Sequence, residues 1–365
     1  MKTKHVIVVG EMHQDLFYQV NMFEEMIEAL ATMLKDKQIN AEATEETKAA
    51  LTETINNVAK KVGGPTYIKR GGNGNNSAQL LAKLGISTRL MTTIGTGADW
   101  MLGELESLGI DSSLVIKVDK PTPISTIIED PKITKILVAP NFKAEMNFDS
   151  IDITEDMLSD ATIVFFTPMA DKYTKVLHTA AKMDILTALT LELQKITTFE
   201  EFQAVVPSAV DFLFANLNDA AATLKLSTTL TTPEALEERL QAVDTKYAKC
   251  ANVRIYTLGK YGSWCCFGEQ TIHTDTLKVK VVNRTGAGDT FAAGFIAYCL
   301  LNLADASEWR KLNTENKKEF LSNAAEFARS AAAYKVSTGD APSTRQLEEF
   351  LKELELQGVR RYQRN

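Results

Sequence analysis

Short runs of β-branched residues recur along this chain, and helical spacings fill the intervals between them. His5 to Gly10 is the first run and ends at a glycine. Arg89–Ile94, Ile163–Thr167, Ile185–Leu189, Phe212–Ala215 and Val253–Leu258 repeat the pattern. Between them, Leu80, Leu81 and Leu84 share one helical face, as do Met101, Leu105 and Leu108, then Val176, Leu177 and Ala180, then Leu236, Leu240 and Val243. Strands alternating with helices imply βαβ units and a mainly parallel sheet covered on both faces. Sites in such sheets lie at the carboxyl ends of the strands. Leu114–Val118, Ser125–Glu129 and Thr134–Ala139 read instead as a meander, with turns at Pro121-Thr122-Pro123 and Asp130-Pro131.

One segment breaks the rhythm. Phe23, Met26, Ile27, Leu30 and Leu34 follow helical spacing, and Leu51, Ile55, Val58 and Val62 form a second stripe stopped by Gly63-Gly64-Pro65. Thr44 is the expected N-cap of the second helix, with Glu45 and Glu46 where the helix dipole favours acids. We read 21–62 as an inserted αα-hairpin that serves either as a packing or dimer element or as a lid.

Composition excludes several classes. Apolar residues at 45% and charged residues at 24% are ordinary for a soluble globular chain, which excludes disordered, collagenous and coiled-coil classes. The net charge is −7, and the basic residues Arg360, Arg361 and Arg364 at the end read as a solvated tail, so no nucleic-acid partner is expected. The four cysteines, Cys250, Cys265, Cys266 and Cys299, lack CxxC spacing and read as reduced thiols. His5, His13, His178 and His273 show no metal-ligand spacing. The apolar run from Val6 to Val9 is cut off by Glu11 and Asp15, unlike a signal peptide. Thr290–Leu301 falls well short of the roughly 20 residues that span a bilayer. No membrane association is expected, and the expected location is cytoplasmic.

The strongest chemical signal is near the C-terminus. Val279–Val282 reads as a strand, Asn283-Arg284-Thr285-Gly286-Ala287-Gly288-Asp289 follows, and an apolar helix is expected from Ala292 to Leu303. Glycines there let the backbone approach a ligand, and the unpaired first amides of the helix form an anion site suited to phosphate. Asp289 has two readings at this point: it caps the helix electrostatically, or it takes a proton from an attacking hydroxyl while the amides hold a phosphoryl group. A second turn, Arg70-Gly71-Gly72-Asn73-Gly74-Asn75-Asn76-Ser77, opens another helix. Asn76 offers a donor and an acceptor, which suits a polyol. The turn lacks the third glycine of a dinucleotide fingerprint.

Together these residues resemble a family. Thr285-Gly286-Ala287-Gly288-Asp289, with Phe291 and Gly294, resembles the C-terminal signature of the ribokinase family, the PfkB-type carbohydrate kinases. Gly71-Gly72 with Asn76 and Ala78 is similar to its N-terminal signature. Gly10-Glu11 with Asp15, Ile94-Gly95 with Asp99, Asn216 with Asp219, and Thr257-Leu258-Gly259 with Gly262 are smaller points of likeness, and the resemblance spans the chain apart from the hairpin.

The resemblance implies a three-layer α/β/α ribokinase-like fold with a mainly parallel central sheet and a small lid. The α/β domain would comprise 1–14 and 67–365, with lid strands around 15–20, 65–70 and 114–139. It implies transfer of the γ-phosphoryl group of ATP to a hydroxymethyl group of a sugar, or alternatively of a nucleoside of the adenosine, inosine or cytidine type. A non-catalytic ligand-binding member is a third reading, disfavoured by the intact Gly286-Ala287-Gly288-Asp289. Asp289 would be the general base, and the amides of Gly286, Ala287 and Gly288 the anion hole. Asp15, Gly72 and Asn76 would hold substrate hydroxyls. Asn216, Thr257, Gly259, Gly262 and Thr285 would serve the nucleotide, and Asp219 would organise Mg²⁺ through water. A homodimer through the lid is a further expectation.

The chain also departs from the pattern. Asp219 replaces the usual glutamate, and Thr190-Leu191-Glu192-Leu193-Gln194 stands where many members have a DxN-like sequence. Asn283 replaces a common aspartate beside the place where K⁺ would bind, while Val336–Asp340 would offer backbone carbonyls. Met12, Phe17, Phe142 and Met169 have two readings: they stack a nucleobase, or they pack the core or the lid. About 150 residues per domain would give roughly two domains, but one active site needs both glycine turns, so the chain is read as one large domain with a lid.

Overall fold

Strands buried on both faces must be apolar at consecutive positions, and the β-branched runs meet that demand in a ten-stranded sheet. The computed structural model describes residues 5–19, 66–129, 134–137, 147–148, 151–206, 208–229 and 233–356, with Glu28, Ala49, Thr52 and Glu53 as isolated positions. Apart from those four positions, the hairpin expected over 21–62 lies outside the described residues. In chain order the first half comprises β1 (His5–Gly10), β2 (His13–Gln19), β3 (Thr66–Gly71), α1 (Asn73–Lys83), β4 (Ser87–Thr96), α2 (Asp99–Ser107), β5 (Ile110–Asp111), β6 (Val115–Pro121), β7 (Ile124–Glu129) and β8 (Thr134–Leu137). Then come β9 (Ala161–Thr167), α3 (Thr174–Ala181), β10 (Leu186–Leu191), α4 (Phe199–Val205), β11 (Val210–Asn216), α5 (Leu217–Thr223) and α6 (Pro233–Tyr247). The last elements are β12 (Ala251–Thr257), β13 (Ser263–Phe267), β14 (Gln270–Thr274), α7 (Ala287–Asn302), α8 (Ala306–Lys311), α9 (Thr314–Thr338) and α10 (Thr344–Leu356).

The large sheet runs β14-β13-β12-β11-β10-β9-β1-β4-β5, with β6 joined to β4. Its pairings are parallel from β12 through to β5, and β13 and β14 are antiparallel additions. Side chains alternate across it. Val6, Val8, Phe165 and Phe212 enter one core with residues of α1, α7 and α9. Ile7, Val9, Phe166 and Leu213 enter a second core with residues of α3, α4 and α6. The result is the three-layer α/β/α arrangement. Helix α7 is buried on every side from Thr290 to Leu300. It meets α9 closely at Gly294, where a Cβ would lie 3.2 Å from the Ala328 Cα.

Two sequence expectations are corrected. Leu114–Val118 does not belong to a meander: β6 runs parallel to β4, with Thr92 opposite Val115 and Thr93 opposite Ile116. Val279–Val282 is not a strand. The amides of Val282 and Asn283 bond the Val336 carbonyl at 2.8 and 3.1 Å, which ties this stretch to the end of α9 and leaves Val281 and Val282 exposed.

A second contact unit comprises His13–Gly71 and Thr122–Glu145. Its four-stranded sheet has the order β3-β2-β7-β8. The register puts Tyr18, Ile68, Ile124 and Leu137 on one face, and all four are exposed. The opposite face carries His13, Asp15 and Phe17, with Phe17 stacked on Tyr67 at 4.9 Å and Lys69 over both rings. Among the described residues, no helix is long and apolar enough to cross a membrane.

Candidate functional site

Strand β1 lies between β4 and β9, so the strand order reverses at its carboxyl end. Such switch points open a crevice in parallel sheets. The chemistry-bearing residues of the large unit follow these strand ends: Glu11 follows β1, Glu192 follows β10, Asn216 ends β11, and Thr257 ends β12.

The turn before α7 is built on Gly286, whose φ of 76° is open to glycine and strained for other residues. No side chain caps this helix start. The Ala287 amide donates to the Arg284 carbonyl at 3.2 Å, and a Cβ added at Gly288 would meet no atom within 4 Å. The backbone is therefore open to a ligand at Gly288. Asp289 sits in the first turn, but its carboxylate accepts from Asn73 Nδ2 at 3.0 Å. Burial raises its pKa, while Asn73, the Lys335 charge and Asn76 act against that rise. The two glycine turns thus converge on one carboxylate.

Backbone packing fixes the Asn73 side of that contact. A Cβ on Gly10 would lie 2.8 Å from the Gly74 Cα and 2.2 Å from the Thr167 carbonyl oxygen. Only glycines allow β1 and α1 to approach so closely. The Asn75 amide then bonds the Glu11 carbonyl at 3.2 Å.

Charge concentrates beside this turn. Glu11 is buried and accepts from Lys195 Nζ at 2.7 Å and from Lys172 Nζ at 3.2 Å. Burial lowers the Lys172 pKa, and Glu11 opposes that shift. Glu192 is pushed up to about 7, first by burial and then by the Asp289 charge, against the Lys195 ammonium, with Glu11 and Asp219 adding to the rise. Asp219 is raised by burial and held back by the Leu193 amide. Burial is the largest cause of the Glu192 rise, and Glu192 and Asp219 are the carboxyls here that could hold a divalent cation. Among the described residues no group of three or more His, Cys, Asp or Glu is arranged to enclose a metal.

The other expected residues are placed as follows. Asn216 caps α5, accepting from the Asn218 amide at 2.9 Å. Thr285 donates its amide to Asn283 Oδ1 at 2.8 Å. Thr257, Gly259 and Gly262 belong to the turn between β12 and β13, where the Leu258 amide bonds the Gly262 carbonyl at 2.9 Å and a Gly262 Cβ would strike the Thr274 carbonyl oxygen at 2.2 Å. Gly72 begins α1 with φ 96°. Asp15 lies in the four-stranded unit, paired with His13 Nε2 at 3.1 Å. A Cβ on Gly71 would fall 2.0 Å from Asp15 Oδ2, so Gly71 clears room for this carboxylate. Asp99 forms an exposed pair with Lys117 and carries no site geometry. Sequence reading missed Asn73, Glu192, Lys195 and Lys335. The DxN-like position was the one available signal, and it pointed to the Glu192 region.

A mainly parallel α/β sheet with an open, glycine-started helix and a half-buried carboxylate in its first turn suits a phosphotransferase of small molecules. The model of the pfkB family carbohydrate kinases matches residues 29–345, and the chain belongs to that family of ATP-dependent kinases. It is 28% identical over 243 residues to a protein described as an uncharacterized sugar kinase of Archaeoglobus fulgidus, covering 64% of this chain and 90% of that one. The ribokinase of Giardia lamblia superposes with a TM-score of 0.70 at 16% identity, covering 95% of this chain and 99% of the other. Arabidopsis thaliana ribokinase, complexed with ribose and ATP, gives 0.67 at 18% identity, with 96% and 99% covered. The nucleoside kinase of Methanocaldococcus jannaschii gives 0.64 at 18% identity, with the same coverage.

Proposed function

We propose that the protein transfers the γ-phosphoryl group of ATP to a hydroxymethyl group of a sugar, with Asp289 as general base. The observation that carries this reading is the Asp289 carboxylate, in the first turn of α7 and held by Asn73 at 3.0 Å. In this position it takes the proton of the attacking hydroxyl. The amides of Gly286 and Gly288, joined by that of Ala287 when it shifts from the Arg284 carbonyl, stabilise charge developing on the transferring group, and the open space at Gly288 admits it. By the family likeness, Gly72 and Asn76 bind substrate hydroxyls in the large unit, and Asp15 is the substrate-binding residue expected of the four-stranded unit. Asn216, Thr257, Gly259, Gly262 and Thr285 serve the nucleotide, as the family likeness implies.

Asp219 and Glu192 would hold Mg²⁺ through water, and the ion would supply charge neutralisation on the phosphates. Glu11 keeps Lys172 and Lys195 oriented behind these acids.

Sugar is favoured over nucleoside on packing. Met12 and Met169, two of the residues expected to stack a base, are buried in separate cores. Phe17 is stacked on Tyr67, and Phe142 lies outside the described residues. We assign the homodimer expected through the lid to the exposed face of Tyr18, Ile68, Ile124 and Leu137, where apolar surface on a second copy would cover it.

The test is a coupled ADP-release screen of ribose, fructose, other ketoses and nucleosides with Mg²⁺, run on the wild type and on Asp289→Asn. The variant should fold and bind ATP while turnover falls by about 10²–10⁴. Retention of most of the activity would assign the base elsewhere.

A further inference from the structure

Lys335 lies in the last turn of α9 and reaches the turn that starts α7. Its Cε is 3.6 Å from the place a Cβ on Gly286 would take. Its ammonium donates to the Gly339 carbonyl, and its charge favours the ionised form of Asp289.

The family likeness implied K⁺ at this place, held by carbonyls of 336–340 and an acid at 283. The residues do not fit that ion. Asn283 brings no charge, and its Oδ1 already accepts from the Thr285 amide at 2.8 Å. The Val336 carbonyl accepts from two amides, those of Val282 and Asn283. The Gly339 carbonyl accepts from Lys335 itself. A bare K⁺ needs several oxygens converging on it in place of its water. Here Asn283 Oδ1 and the Val336 and Gly339 carbonyls take protein donors, and a side-chain ammonium stands among them. An ammonium carries the same single charge as K⁺ and satisfies carbonyls through its N–H donors.

We propose that Lys335 is a built-in monovalent cation, which ties the 336–340 segment to the 285–289 turn and keeps the anion site positive without K⁺. It is a positioning residue, acting through the Gly339 carbonyl and through its field at Gly286–Asp289. The proposal rests on the kinase reading of that turn.

The test is calorimetric titration of MgATP into the full-length protein, in N-methylglucamine chloride and in KCl at equal ionic strength. Wild-type affinity should agree within about twofold between the two salts. Lys335→Met should weaken binding about tenfold in N-methylglucamine chloride, the order expected for losing one charge-assisted contact. K⁺ or NH₄⁺ should then restore part of that loss. Circular dichroism reports whether the variant folds, and if it does not, the wild-type comparison decides alone. The proposal is overturned by a wild-type affinity that rises about tenfold in K⁺. A folded Lys335→Met that binds like the wild type also overturns it, as does a loss that neither cation rescues, since that assigns Lys335 to packing. A wild type that binds no ATP in either salt removes the kinase reading itself, and this proposal with it.

Discussion

Asn73 and Asp289 stand 216 positions apart in the chain, and Asn73 Nδ2 donates to Asp289 Oδ1 at 3.0 Å. This bond favours the charged carboxylate, in opposition to burial. Asn73→Ala removes a donor to the ion, so the Asp289 pKa moves further up and less of the base is ionised at a given pH. The acid limb of the kcat/KM profile should shift toward higher pH, so activity on that limb falls at a given pH. A pH profile with an unmoved acid limb would show that the bond does not tune the base.

Gly288→Ala separates ligand approach from folding. A Cβ there meets nothing within 4 Å, and alanine in a helix is favoured over glycine by about 0.5–1 kcal/mol. The melting temperature should hold or rise while MgATP affinity drops, because the methyl stands where the phosphates are proposed to approach. Undiminished affinity would move the anion site away from Gly288.

Gly10→Ala tests the backbone contact beneath the same turn. Its Cβ would lie 2.2 Å from the Thr167 carbonyl oxygen and 2.8 Å from the Gly74 Cα, both of them backbone atoms. Forced overpacking typically costs about 1–3 kcal/mol, and backbone neighbours cannot swing aside, so the loss should lie at the upper end. Urea denaturation measures it. A loss below about 0.5 kcal/mol, the range of ordinary surface substitutions, would mean that the contact relaxes freely.

Glu192 provides a stability readout. Burial first, with the charges of Asp289, Glu11 and Asp219, raises it from 4.5 to about 7. A carboxyl with a raised folded pKa holds its proton more tightly when native. Its contribution is full below the unfolded value and disappears as pH climbs through the folded one. Wild-type stability should therefore carry a decline from about pH 4.5 to about pH 7, and Glu192→Gln, which does not titrate, should flatten it. Denaturation curves at several pH values in that window check this, and parallel curves for the two proteins would count against it.

The sheet was legible because a strand buried on both faces has to be continuously apolar, as Val6–Val9 and Phe212–Ala215 are. The two glycine turns were legible because few sequences place glycines directly before a helix. The neighbours of Asp289 were not. Asn73 carries no periodicity and has a partner 216 residues away. Lys335 reads in sequence as an ordinary basic residue closing a helix, which the dipole favours in any case. The pairing of Glu11 with Lys172 and Lys195 joins three separate loops, and local pattern is silent about such distances. Leu114–Val118 was assigned to the wrong sheet because a half-exposed strand with mixed polarity suits the edge of either one.

Helix α7 is enclosed by protein along most of its length. Opening it would expose the heart of one core, so its amides from Thr290 onward should exchange with solvent only when the whole domain unfolds. The proposed base sits in the first turn, whose first amides have no partner within the helix, and the backbone that carries it runs directly into that protected stretch. Heat or denaturant should therefore abolish turnover together with global structure rather than ahead of it.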